Sequence, residues 1–338
     1  MRRSLLVFAA SLAVLAGSVS QARLAAPAVS DAAILGDAMP RTLAEFGFFT
    51  ETRAQAPAKG VIAYELNTPL WSDGADKLRF VYLPQGTALR ANGEGLLHFP
   101  VGSAIIKTFA FGEGEDRQLI ETRLLLRRAD GWIALPYRWN AEQTEATLAL
   151  AGARVPITTP DGEQISYRIP NKNQCKTCHS KDGEVIPIGP KARNLSATWL
   201  SHAVETDLLD SVPPESSSMP YWQHDTSGTV ELRARAYLDV NCAHCHQPGG
   251  SASNSGLDLR WEQDGSHAIG IRKPPVAAGR GAGGLLVSIA PGNPDASILL
   301  YRMQSTEPGV AMPELGRDTV DRKGVAAIRK WIEEMPAS

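Results

Sequence analysis

All four cysteines of this 338-residue chain stand in two short motifs, "CKTCH" (Cys175 to His179) and "CAHCH" (Cys242 to His246). Both read Cys-x-x-Cys-His, so both commit two thiols and one imidazole to a single turn of chain. The chain has seven histidines. A histidine therefore follows a given position by accident in about 2 cases of 100, and both do so in roughly 4 of 10,000, so the five-residue pattern has to be read whole. Four chemistries use a Cys-x-x-Cys spacing. A zinc ribbon keeps its two pairs roughly 15 to 20 residues apart, whereas about 60 separate these. A thioredoxin-like dithiol belongs in a βαβ context and leaves the histidines idle. Disulfides suit an oxidising compartment but ignore the histidines as well, and pairing within one motif closes only a tiny loop. Covalent haem attachment uses all six side chains: the thiols bond the two vinyl groups of the porphyrin and the histidine takes the iron. The motifs therefore predict two covalently attached haem c groups, with Cys175, Cys178, Cys242 and Cys245 as attachment points and His179 and His246 as proximal ligands. The other ring nitrogen of each histidine is expected to donate to a backbone carbonyl, which fixes the tautomer.

The far side of each iron reads differently. In "GVAMPELG", Met312 lies on a loop just before the last helical stretch. A thioether there would complete the second site, raise its potential and block small ligands. Met303, in a helical setting, is expected to pack against the haem face. His244, between the second pair of cysteines, is expected at the haem edge. The first motif has no methionine near it. Met219, His202, His224 and His98 are candidates for its sixth position, and five-coordinate iron is the remaining choice.

The chain opens "MRRSLLVFAASLAVLAGSVSQA". A basic pair, a short apolar run and small residues at Ser18, Ser20 and Ala22 make this a cleavable export signal, 1–22, and hence a periplasmic protein. The apolar run is short for a bilayer of roughly 30 Å, and no later segment is apolar enough to cross one, so no integral membrane segment is expected after cleavage. The formal charge of -2 offers no basic field for nucleic acid.

Residues 23–44, rich in alanine, read as a flexible lead-in. From 45 to 170, short apolar or alternating runs such as "AIIKTFAF" and "QLIETRLLL" are separated by turn signals such as "ANGEG" and "TPDG". That texture predicts an antiparallel, sandwich-like β-rich domain. Trp71, Trp132 and Trp139 read as core or edge packing, or else as one face of a ligand site. Residues 171–228 carry the first motif and a Pro/Ser-rich linker, and 229–338 read as helical around the second. Asn293 caps one helix, and Val325, Ile328, Ile332 and Met335 share one face of the last.

Residues 229 to 335 resemble a class I cytochrome c domain in their leading helix, "CAHCH", "PGNPDASILLYRM", "AMPELG" and closing helix. From "YELNTPLWSD" onward, through "PNKNQCKTCH", "PIGPKARNL" and "ARAYLDVNCAHCHQPGG", the chain resembles a family of bacterial di-haem c-type cytochromes. The resemblance covers about residues 45 to 335. It implies an α+β multidomain protein with a β-rich region before a cytochrome c-like domain, and the same Cys and His roles with Met312 as distal ligand. The expected function is single-electron transfer between redox proteins, a dehydrogenase upstream and a cytochrome or oxidase downstream. Two alternatives are a peroxidase-like enzyme with an open first iron, and a binding module in which the β domain recognises a partner or sugar.

Overall fold

The computed structural model describes residues 28–213, 218–276 and 278–336. The expected export signal, 1–22, lies outside the described residues. The chain forms a mixed α+β fold around one antiparallel sheet. A first helix, α1 (Asp31–Leu35), precedes two short paired strands, β1 (Phe49–Glu51) and β2 (Ala56–Pro57). Six strands then follow: β3 (Val61–Ala63), β4 (Asp76–Tyr82), β5 (Ala104–Phe111), β6 (Gln118–Arg128), β7 (Gly131–Trp139) and β8 (Ala146–Leu148). They pair in sequence order, each antiparallel to the last. A hairpin follows, β9 (Ala153–Thr158) and β10 (Gln164–Ile169), turned at the "TPDG" signal.

Side chains alternate across each strand, so the sheet has two faces to bury. On one, Ile106, Leu124, Leu126, Leu135 and Tyr137 are covered by Ile34, Leu43, Phe46 and Phe48. Residues 28–44 are therefore a packed cover and not the flexible lead-in that their composition suggested: Ile34 and Leu43 are buried at 0% and 1% exposure. The other face is shared. The hairpin covers Phe109 and Phe111 with Ile157, Tyr167 and Ile169. Helical segments cover Val81, Ile105, Leu125 and Ala134 with Cys175, Leu195, Leu200 and Leu209. The expected sandwich-like pairing of two sheets is replaced by one meander with helices and a hairpin on its faces, since the remaining described sheets have only two strands each.

The first motif lies on α2 (Lys172–Cys178). Asn171 starts this helix with a reciprocal cap: its Oδ1 accepts from Gln174 N at 2.8 Å, and Gln174 Oε1 accepts from Asn171 N at 3.0 Å. A small antiparallel pair follows, β11 (Ser180–Lys181) and β12 (Glu184–Val185), then α3 (Ala197–Glu205). The Pro/Ser stretch read as a linker is fixed at its far end, where Met219 and Trp222 are buried in the helical core.

The second motif follows α4 (Val230–Asn241), capped by Thr229. Beyond it come α5 (Ser266–Ile269), α6 (Ile298–Gln304) and α7 (Arg322–Glu334). Asn293 does cap, but it caps a short 3-10 turn, Pro294–Ala296, ahead of α6. Helices α4 and α7 pack through Tyr237 and Leu238 against Val325, Ile328 and Ile332. Gly324 is required there: a Cβ at this position would overlap the Tyr237 hydroxyl.

Candidate functional site

The seven residues singled out by the motifs, Cys175, Cys178, His179, Cys242, Cys245, His246 and Met312, line one cavity of about 490 Å³. That size is ordinary for a cofactor pocket of about 300 to 1,000 Å³. The sheet, α2 and the helical region all contribute to its wall, and Trp71 and Met303 also reach it.

Each motif is set by the chain before it. Helix α2 ends at His179, whose N–H donates to Cys175 O at 3.0 Å. Helix α4 ends at Cys242, and the His246 N–H donates to Cys242 O at 3.0 Å. The two turns thus present cysteine and histidine on one side of the chain.

The imidazoles are fixed as neutral rings. His179 Nδ1 lies 3.0 Å from Ile186 O. A carbonyl only accepts, so Nδ1 carries the proton and Nε2 keeps its lone pair. Burial, helped by the Lys107 charge, pushes the His179 pKa down to about 3. His246 Nδ1 lies 2.9 Å from Ser255 Oγ. That hydroxyl spends its proton on Ala252 O at 2.7 Å, so it accepts from His246. Here the partner is a hydroxyl and not the expected carbonyl, though it leads to a carbonyl one bond further on. Burial also lowers the His246 pKa.

The thiols are free cysteines. Burial raises Cys175 and pushes Cys242 up to about 12. Cys178 and Cys245 meet across the two motifs: hydrogen bonding between them raises Cys178 and lowers Cys245. With His244 they place three ligand atoms within 4.8 Å of one another. Among the described residues the buried His244 Nδ1 has no hydrogen-bond partner of its own, while hydrogen bonding between the His244 side chain and Cys245 helps to lower that thiol. This trio is chemically able to hold a soft metal ion such as zinc, a use exclusive of thioether formation at the same two sulfurs.

The four candidates for a sixth ligand at the first site are placed elsewhere. His98, His202 and His224 are exposed and Met219 is in the helical core, and none of them lines the cavity. Met312 and Met303 both line it.

Sequence reading missed a charged layer under His179. Arg123 forms a bidentate pair with Glu121, at 2.8 and 2.5 Å, and Glu121 also accepts from the Tyr167 hydroxyl at 2.7 Å. Lys107 stands beside them, its pKa lowered to about 7 by burial and by the charges of Arg123 and Arg79. The signal was a lysine inside the apolar run "AIIKTFAF". Also missed was the loop 67–74, which ties sheet to helices. Thr68 N donates to Asn194 Oδ1 and Trp71 N to Asn241 Oδ1, both at 2.8 Å. Asp73 Oδ1 accepts from Asp318 N, Thr319 N and Thr319 Oγ1 at 2.8 to 3.0 Å, close in sequence to Met312.

Compared with known proteins, the chain matches no family model, no curated protein and no solved structure.

Proposed function

We propose that the protein is a di-haem c-type cytochrome of the kind its motifs resemble, exported to the periplasm and passing single electrons between redox proteins. One observation carries this reading: both Cys-x-x-Cys-His turns open on one cavity, each with a neutral imidazole whose Nδ1 proton is already committed. The residues fit the group. Cys175 and Cys178 would hold one haem and Cys242 and Cys245 the other, with His179 and His246 as iron ligands through Nε2. Haem bound in this way supplies one-electron transfer between ferrous and ferric iron. The chain's part is to hold, orient and shield. Ile186 O and the Ser255–Ala252 relay keep each ring in one tautomer. Met312 is the proposed distal ligand of the second haem, and Met303, only 5% exposed, lines the same cavity. Because Cys178 and Cys245 adjoin, the two attachment points are neighbours, which favours electron passage within the molecule. The cytochrome c-like character of residues 229–338 and the redox partners, a dehydrogenase upstream and a cytochrome or oxidase downstream, belong to the same proposal.

A second reading has support of its own. None of the four sixth-ligand candidates, Met219, His202, His224 and His98, lines the cavity with His179, which favours an open first iron and a peroxidase-like enzyme. An electron paramagnetic resonance spectrum of the oxidised protein separates the two. Two low-spin signals, with an optical spectrum indifferent to carbon monoxide and peroxide, are expected of a carrier. A high-spin signal that responds to carbon monoxide would replace the carrier with the enzyme. Bound zinc in place of haem would refute both.

A further inference from the structure

Beside the main cavity lies a smaller one of about 90 Å³, which shares His179, Lys107 and Arg123 with it. Its cationic lining comes largely from one row of the sheet. Arg79 on β4 stands directly opposite Lys107 on β5, and Lys107 directly opposite Arg123 on β6. Like charges in directly opposed positions destabilise a sheet, so three in register call for a counter-charge.

The protein supplies only part of it. Arg123 is matched by Glu121. At the far wall Lys191 is matched by Asp239 at 2.7 Å. Among the described residues neither Arg79 nor Lys107 forms a salt bridge; Glu65 and Asp76 act on Arg79, and Glu121 on Lys107, only at longer range. The Arg79 guanidinium donates to the Lys77 carbonyl at 2.9 Å. Among the described residues Lys107 Nζ has no hydrogen bond or ion pair, only the Phe109 ring at 5.2 Å. Tyr64 continues the row beyond Arg79: its N–H donates to Arg79 O at 3.0 Å, its ring is buried in the same wall, and its hydroxyl has no partner among the described residues. Both cations are half-buried, and a cation drawn from water without a matching anion is costly; these two cations and a phenol converge on the same space. That space suits a few waters or one small polyatomic anion, given about 30 Å³ per water.

We propose that Arg79, Lys107 and Tyr64 form a binding site for a small carboxylate or oxoanion beside His179. Two sources share that chemistry: a free anion such as formate or nitrite, and a carboxylate of the haem itself. The second source rests on the haem reading above; the first does not.

The test uses the full mature protein, with covalent haem first counted by mass. Formate and nitrite are titrated by calorimetry and by optical spectrum into the wild type, Arg79→Gln, Lys107→Gln and Tyr64→Phe. Lys59→Gln, an exposed change ahead of β3 and outside both cavities, is the control. If a free anion is the ligand, one of the probes binds saturably to the wild type and at least tenfold more weakly to Arg79→Gln and Lys107→Gln, with Lys59→Gln unchanged. If the haem carboxylate fills the site, neither probe binds, and Lys107→Gln and Arg79→Gln each lower the reduction potential of one haem alone. No binding with both potentials unaltered in the variants would overturn the site; Tyr64→Phe supplies the same readouts if a charge variant fails to fold. A protein without haem would refute the function proposed above, yet the titration would still decide the site, since absence of binding would then eliminate it.

Discussion

At the scale of single residues, function hangs on where a few protons and lone pairs sit. The His246 ring is held from behind by Ser255, so replacing it would remove the proposed iron ligand while leaving both cysteines of its motif in place. His246→Ala is predicted to keep its haem by mass while losing the low-spin spectrum of that site. Cys242→Ala combined with Cys245→Ala is predicted to lose one haem, and a double variant that retained two would show the attachment assignment to be wrong. Asp73 is the structural counterpart. Its carboxylate satisfies two backbone N–H groups and a hydroxyl in the 318–319 loop, and orphaning buried donors costs about 1–3 kcal/mol each. Asp73→Ala should therefore lower unfolding stability by about 2–4 kcal/mol in a urea titration, and an unchanged midpoint would remove the loop's claimed anchoring role. The motif residues were legible in the sequence because their chemistry is written in local spacing. Asp73 and Lys107 were not, because their roles depend on register and on chain ends more than 200 residues away in the first case, and on neighbouring strands in the second.

At the scale of elements, the strands and hairpins were readable from alternation and turn residues, and α7 from its apolar face: Ile328 and Ile332 are both fully buried. Residues 28–44 were not, because alanine-rich composition does not reveal that a sheet face needs a cover. The crossing of α4 and α7 depends on Gly324 lying against Tyr237. Gly324→Ala should cost about 1–3 kcal/mol by overpacking, even though alanine is the better helix former. Thermal unfolding of the variant checks the sign, and stabilisation would contradict the close approach. A second element-scale link joins α4 to the chain ahead of α3: Asp239 accepts from Lys191 at 2.7 Å and from Arg193 at 3.4 Å. These cations outweigh its burial and hold its carboxyl below the ordinary value of 3.8. Since the folded state then binds fewer protons than the unfolded chain, stability rises with pH through this group. Its contribution is present above about pH 4 and is lost as pH falls through the lowered value. Asp239→Asn should destabilise by about 3–5 kcal/mol at neutral pH and flatten the acid limb of the stability curve; an acid limb identical to the wild type would exclude Asp239 as its source.

At the scale of the whole molecule, the β-rich region and the helical region share a wall. Cys175 is buried among sheet residues Val81, Ile105, Leu125 and Ala134, while Leu70 and Trp71 from the sheet side reach the helical core and the main cavity. The sheet is thus a structural half of the site. Among the described residues no helix is long and apolar enough to cross a membrane. The convergence of the two motifs was the part of the site least open to sequence reading, since about 60 residues separate them and long-range contacts bring them together, among them the Asp182 N–H donating to Gly249 O at 2.9 Å and Lys191 paired with Asp239 at 2.7 Å. The central claim, two haems on those motifs, is tested most directly by the intact mass of the exported protein from a host that matures c-type cytochromes. The account predicts the mature polypeptide plus two haems, falling to one when either cysteine pair is replaced by alanine. A mass equal to the polypeptide alone, or to polypeptide with zinc retained under native conditions, would contradict it.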